Sequence, residues 1–348
     1  MKGTEIALGR IGGREVAARL VDGRIEDLAL EVAGLAPGAI LRGKVGRPVK
    51  GVGGVFVTLP DGESGFLRAP KGLAPGQPIL VQVAGVAEPG KALPLTQRLL
   101  FKSRFAIVTP DAPGLNVSRA IRDEEQRAAL TALAAEGMRG ADESLGLILR
   151  SVCETADDAE IAEDIAQMRR LAEAVLADVN GDPELLVDAP GAHELAWRDW
   201  GDVDRVDTSE DALAVSGALD QIEALARPLV DLGGGASMLI EPTRALIAVD
   251  VNTGRDTSPA AGLKASIAAA RELPRQLRLR GLGGVVLIDF APFGKRDRQA
   301  VEQVLGKAFR ADASEASLAG WTPLGNFELT RRRDRQPLAD WLDEVADG

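Results

Sequence analysis

Two apolar runs, each closed by an aspartate, constrain this chain more than any other feature. They are "RALIAVDVNTGR" at 244–255 and "GGVVLIDFAP" at 283–292. Both are short, rich in Val, Ile and Leu, and bounded by Gly, Pro or Thr, the signature of buried strands. Between them, Ser258 is a candidate N-cap with Pro259 at the first helical position, and a helix is expected to run to about Leu279. From residue 236 onward the pattern reads strand, strand, helix, strand, helix. Pro274 predicts a kink in the linking helix. A single Asp at a strand end is usually a turn former or a cap. Two that each close a buried run can meet at one edge of a sheet, which is how divalent cations are commonly held for phosphate chemistry.

Asp250 and Asn252 stand at i and i+2 of one run, so their side chains face the same way. Asp289 ends a strand that could lie beside them. Two carboxylates and an amide carbonyl make an all-oxygen shell suited to Mg²⁺ or Mn²⁺. Composition narrows the alternatives. The one cysteine, Cys153, excludes an internal disulfide framework and a cysteine-cluster zinc site, and the one histidine, His193, argues against Ser-His and Cys-His schemes. A hard metal needs no histidine base, because it can acidify its own bound water. On the residues alone, strand-end aspartates acting as plain caps remain a competing reading.

The net charge of −11 is unevenly placed. Residues 154–231 hold 21 Asp/Glu against 5 Arg, a balance of −16, which leaves roughly +5 on the rest of the chain. An acidic middle with basic flanks is compatible with a polyanion bound at selected surfaces. Residues 5–34 read as short strands broken by glycine. Residues 35–101 alternate apolar and polar positions between the turns "PDG" and "APGQP", which predicts a small β-barrel. That stretch has 8 Lys/Arg against 3 Asp/Glu, so the barrel is basic. Phe56 and Phe66 lie in two of its strand-like runs, at a spacing that adjacent strands of a hairpin would give. They either fill the barrel core or form a base-stacking platform on an OB-type fold.

Residues 102–187 mix strands ("RFAIVTP", "LGLILRSV") with two helical stretches, "RDEEQRAALTALAAE" and "AEIAEDIAQMRRLAEAVLADV". The stretch 188–235 is acidic and turn-rich. Arg271, Arg275 and Arg278 recur at helical spacing within the linking helix. Such a stripe is either a solvated face or, beside the aspartate strands, a set of phosphate contacts. The start "MKGTEIALGR" has no signal-peptide apolar region, and no run approaches the length of a membrane span. A cytoplasmic protein with no membrane partner is expected.

The stretch from Ile240 to Phe290, with "AVDVNTGR" and "RQLRLRGLGGVVLIDF", resembles the catalytic region of the ribonuclease E/G family. The family's Asp-Ile-Asn-Ser/Thr is here Asp250-Val251-Asn252-Thr253, and its second metal aspartate matches Asp289. The resemblance extends over most of the chain and implies a metal-dependent endoribonuclease acting on single-stranded RNA, leaving 5′-phosphate and 3′-hydroxyl ends. It implies that Asp250 and Asp289 hold Mg²⁺ while Asn252 orients the scissile phosphate. It places Phe56, Phe66 and Lys91 on an RNA-binding OB barrel; from the helical stripe, Arg275 and Arg278 are expected among the RNA contacts. "LGLILRSV" is similar to the family segment that senses an RNA 5′-monophosphate, with Arg150 and Ser151 as the gripping pair. The pairing of Arg150 with the nearby acids Glu154, Asp157 and Asp158 is the competing role.

The fold implied is an OB-type barrel (35–101) inserted in an RNase-H-like part (1–34 and 188–231), a 5′-phosphate-sensor-like region (102–187), and a DNase-I-like α/β catalytic domain (232–348). This sequence departs from the family pattern where Asn and Glu of the linking helix become Ser266 and Ala268. It departs again at Pro292, where a further Asp is often found, and around Pro323, where an Arg is expected. No Cys-Pro-x-Cys segment occurs, so no zinc is expected, and a homodimer is favoured over a zinc-linked tetramer. These losses thin the support around the metal pair. They raise a rival reading, a non-catalytic or weakly active RNA-binding relative. A phosphoesterase acting on small nucleotides is a third reading, disfavoured by the basic stacking barrel.

Overall fold

In a computed structural model of the chain, residues 2–49, 51, 53–68, 72–88, 90–201 and 203–347 are described. The chain divides into two units, one of residues 31–203 and the other of residues 1–30 with 204–348.

In the first unit, five strands close into a barrel. They run in the order Ile40–Val49, Gly54–Thr58, Ser64–Arg68, Leu93–Thr96 and Pro78–Val83, and the last pairs back onto the first. Closure follows from alternation: Val45, Val55, Val57, Leu67, Ile79, Val81 and Leu95 point inward and are buried. The strand Glu184–Val187 adds to the outer edge of Ile40–Val49. Buried Arg42 ties that junction. Its guanidinium donates to the Asp178 carboxylate at 2.6 Å, the Asp182 carbonyl at 2.7 Å and the Glu184 carboxylate. One of the charges that made the barrel sequence basic is therefore neutralised within the fold.

A second sheet, in the order Gly114–Val117, Gly146–Leu149, Ala106–Thr109 and Phe101–Lys102, packs against the helices Glu124–Gly137 and Asp158–Ala177. Each helix begins at an aspartate cap, Asp123 or Asp157, whose side chain accepts a backbone N–H of the first turn. The acidic stretch from 188 is more ordered than its turn-rich composition suggests. It contains the helices Ala192–Asp199, Ala212–Val215 and Ala218–Leu225, and the chain passes from the first unit to the second within it.

In the second unit, Thr4–Ile11, Arg14–Val21 and Arg24–Leu30 form an antiparallel meander, and Arg205–Asp207 pairs parallel with Thr4–Ile11. Leu338–Asp347 packs Leu338 and Trp341 into the core of this sheet. A six-stranded sheet follows, in the order Leu229–Gly233, Ala236–Pro242, Ile247–Asn252, Gly284–Asp289, Phe327–Arg331 and Ala316–Trp321. Its two central strands are parallel and are joined by the helix Pro259–Leu279. A helix as long as this is the connection that parallel neighbours require. The Ser258 hydroxyl caps it by accepting from the Ala261 N–H at 3.2 Å. The expected kink at Pro274 does not end or divide the helix, which runs on to Leu279 with Pro274 buried in its packed face. Tertiary packing outweighs the backbone hydrogen bond that proline removes.

Candidate metal centre and nucleic-acid interfaces

The two aspartates meet. In the parallel ladder of the central strands, Ile247 lies opposite Val286, Val249 opposite Ile288, and Asp250 opposite Asp289. Ile247, Val249, Val251, Val286 and Ile288 face the core under the linking helix, while Asp250, Asn252 and Asp289 are exposed on the other face. Neighbouring strands are about 4.8 Å apart, so the two carboxylates can share one cation. Without a cation between them, like charges side by side repel. Asn252 donates from Nδ2 to Asp250 Oδ2 at 2.8 Å, which fixes both side chains. Among the described residues no group of three or more His, Cys, Asp or Glu is suited to a metal. The donor set is two carboxylates and one amide. It fits Mg²⁺, which keeps several waters and takes one or two carboxylates plus substrate phosphates.

The residues at the departures take structural places. Ser266 is fully buried and its hydroxyl reaches the Ala291 carbonyl at 3.4 Å, just beyond Asp289. Ala268 is half-buried, and Pro292 and Pro323 are exposed. A Cβ at Gly262 would come within 1.9 Å of the Pro292 carbonyl oxygen, so only glycine lets the linking helix approach this segment so closely. Phe290, Phe293, Trp321 and Phe327 pack edge-on or tilted behind it, with centroids 5.3–6.4 Å apart. This anchor for the loop after Asp289 was not found from sequence. Its signal was there: of the chain's eight Phe and four Trp, Phe290, Phe293, Phe309, Trp321 and Phe327 all fall at 290–327.

The arginine stripe is corrected. Arg275 donates to Glu272 Oε1 at 2.7 Å and to the Ile25 carbonyl, and lies 3.2 Å from Glu26. Arg278 donates to the Glu26 carbonyl at 2.8 Å and to the Asp312 carboxylate. Their side chains are only 12 % and 15 % exposed. Both guanidiniums bind the meander strand Arg24–Leu30 and its surroundings, so neither is placed as an RNA contact. Arg271 alone of the three is exposed. Helical spacing put them on one side of the helix; it carried no information about what that side faces.

On the barrel, Phe56 and Phe66 are directly opposed on neighbouring strands, with rings edge-to-face at 5.5 Å. Neither belongs to the barrel core, and Phe56 is 43 % exposed. The Phe66 ring lies over Gly54, where an added Cβ would come within 2.3 Å of it. A cavity of about 520 Å³ is lined by Phe56, Glu63, Ser64, Lys91 and Leu93. Lys91 reaches it with its ammonium 2.9 Å from Glu88. Because the Phe56 ring is outside the core, Phe56→Ala is expected to leave the barrel folded and to weaken single-stranded RNA binding by ~1–3 kcal/mol, the worth of one stacking contact. Affinity measured beside circular dichroism checks this, and an unchanged affinity would return Phe56 to a structural role.

Arg150 and Ser151 come together with Arg104, Arg198, Asp199 and Trp200 around a cavity of about 70 Å³. Arg150 is pinned there. Its Nη1 donates to the carbonyls of Ser103, Arg104 and Arg198 at 2.7–3.1 Å, and its Nη2 to Asp199 Oδ1 at 2.9 Å. Its acidic partner is thus Asp199, well beyond the Glu154, Asp157 and Asp158 nearby in sequence. Lys102 and Arg198 share the same carboxylate at 2.7 and 2.8 Å. Burial pushes the Asp199 pKa up, but hydrogen bonds from Arg198 and Lys102 win and hold it below the usual carboxylate range. Burial also lowers the Lys102 pKa, only partly offset by Asp199. One carboxylate among several cations leaves a positive surplus in a partly dry pocket.

The fold thus presents a carboxylate pair on a sheet face, an aromatic pair on a barrel and a cationic pocket. The comparisons are specific. A sequence model of the Ribonuclease E/G family matches residues 101–212 and 200–334. Ribonuclease E of a Nostoc species is 29% identical over 95% of this chain and 56% of its own length. Ribonuclease E of a Synechocystis species is 28% identical over 93% and 56%, and ribonuclease G of Escherichia coli is 28% identical over 86% and 73%. This chain therefore belongs to the ribonuclease E/G family. It spans little more than half the length of those two ribonuclease E relatives.

Proposed function

We propose that this protein is a Mg²⁺-dependent endoribonuclease that hydrolyses phosphodiester bonds of single-stranded RNA and leaves 5′-phosphate and 3′-hydroxyl ends, with Mn²⁺ as an alternative ion. The observation that carries the reading is the register of Asp250 against Asp289 on the exposed face of the sheet. These two residues would hold the metal, which when bound polarises a phosphoryl oxygen and acidifies a water. The chain's own groups do the positioning. One Nδ2 hydrogen of Asn252 is engaged by Asp250, and the second remains for a phosphate oxygen. Holding that amide in place before substrate arrives reduces the ordering cost of the reactive geometry. Phe56 and Phe66 support base stacking beside Lys91, and the Arg150–Ser151 pocket supports recognition of a 5′-monophosphate. In this reading the meander with residues 204–231 is the RNase-H-like part, the six-stranded sheet is the DNase-I-like part, and the protein is cytoplasmic and able to form a homodimer. Among the described residues, no helix is long and apolar enough to cross a membrane.

One observation favours a second reading. Ser266, Ala268 and Pro292 supply no carboxylate or amide side chain behind the aspartate pair, as a weakly active or non-catalytic RNA-binding relative would have it. One experiment separates the two: a 5′-monophosphorylated single-stranded RNA incubated with Mg²⁺ or with EDTA. Cleavage in Mg²⁺ alone, with ligatable 5′-phosphate ends on the products, is the expected result. Binding without cleavage in either condition would select the second reading.

A further inference from the structure

We infer that Trp197 and Arg104 form a shelf for the base of the 5′-terminal nucleotide of an RNA, beside the pocket of Arg150 and Ser151; this rests on the reading of that pocket as a 5′-phosphate site. Trp197 lies in the last turn of the helix Ala192–Asp199, which buries Ala192 and Ala196 and leaves the Trp197 residue 58 % exposed. The chain's other tryptophans are placed differently: Trp341 is fully buried, Trp200 is 8 % exposed, and Trp321 packs among the phenylalanines behind Asp289. Core packing therefore gives no reason for an indole at 197.

Its surroundings do. The Arg104 guanidinium lies 5.1 Å from the Trp197 ring centroid and 5.9 Å from that of Phe105. Its Nη1 donates to the Trp197 carbonyl, so the cation and the helix turn that carries the ring are locked together. Arg104 is also part of the wall of the pocket, with Arg150, Ser151 and Arg198. Three guanidiniums there face one carboxylate, Asp199. The Arg198 Nε is buried with no hydrogen-bond partner among the described atoms. A cationic pocket next to a fixed, solvent-facing indole matches the two ends of a nucleoside 5′-monophosphate. The dianion satisfies the guanidiniums, and the base extends the Arg104–Trp197 stack into solvent. Stacking of this kind tolerates any base, so the shelf reads the presence of a terminal nucleoside and not its identity.

The test uses short single-stranded RNAs of one sequence whose 5′ end carries a monophosphate on a normal nucleotide, a monophosphate on an abasic nucleotide, or a hydroxyl on a normal nucleotide. Affinities are measured for the wild type, Trp197→Ala and Trp197→Phe. The wild type is expected to prefer the base-bearing phosphorylated end over the abasic one by about five- to hundredfold. Trp197→Ala should erase that preference yet still favour phosphate over hydroxyl, and Trp197→Phe should restore most of it. An unchanged base-to-abasic ratio in Trp197→Ala, with the phosphate preference intact, overturns the shelf alone. Equal wild-type affinity for phosphorylated and hydroxyl ends overturns the pocket and the shelf together. Circular dichroism of both variants guards against misfolding, which the partial exposure of Trp197 outside the core makes a minor effect.

Discussion

Mg²⁺-dependent cleavage is expected to fall at least ~100-fold in Asp250→Asn and in Asp289→Asn, with the fold intact. Altering a group behind a metal ligand typically costs about 10–100-fold, and these changes remove an anionic ligand itself. Each keeps the side-chain shape and, at 250, an oxygen that can accept from the Asn252 amide. Both positions are exposed and stand opposite one another in the ladder, so no core contact is lost. Stability in the absence of metal should hold or rise slightly, because the substitution relieves repulsion between adjacent like charges. That pairing of lost activity with retained stability distinguishes a metal site from a pair of strand caps. Initial rates across a Mg²⁺ titration, with thermal unfolding in EDTA, check both halves. Cleavage equal to that of the wild type in both variants would remove the metal-site assignment.

The largest effect on stability is expected at Asp312. Its side chain is 1 % exposed, as is that of Arg331, whose Nη2 lies 3.4 Å from Asp312 Oδ1. The other carboxylate oxygen takes the Arg278 guanidinium, and Oδ1 also accepts the Ser314 N–H at 2.9 Å. Arg331 in turn donates to the Leu282 carbonyl at 2.9 Å. Asp312→Ala leaves two largely buried guanidiniums without this countercharge. Breaking a buried pair from one side costs about 3–5 kcal/mol, and urea denaturation should show a loss of that size. The consequence reaches the site through the fold. Arg278 lies in the last turns of the helix that joins the two aspartate strands, and Leu282 lies just before the second of them. A loss below ~0.5 kcal/mol would mean that solvent or other carboxylates replace Asp312 at little cost.

The elements that were legible in the sequence share one property: their signal is local. Val, Ile and Leu alternating or running ahead of Asp250 and Asp289 specified strands, and Ser258-Pro259 specified where the linking helix starts. A fixed strand period also placed Asp250 and Asn252 on one side. The motif match over 240–290 then drew the two aspartates together, and their register opposite one another agrees with that expectation. Phe56 and Phe66 were legible as a cross-strand pair from their spacing. Whether the pair faced the barrel core was not, because alternation alone does not say which side of a strand is inside.

What remained was decided by contacts between residues far apart in the chain. Arg275 and Arg278 looked like a phosphate-facing stripe until the meander of residues 4–30 closed over them. Arg150 found its carboxylate 49 residues away at Asp199, past Glu154, Asp157 and Asp158. Trp197 and Arg104 became neighbours only when the helix Ala192–Asp199 packed beside the bend between Phe101–Lys102 and Ala106–Thr109. The sequence by itself determined the strands, the linking helix, the aspartate–asparagine set and the family. Tertiary structure decided which charges are neutralised within the fold and which stay available to a ligand. The physical reason is that periodicity is set by backbone geometry within a few residues, whereas the environment of a charge depends on every segment folded against it.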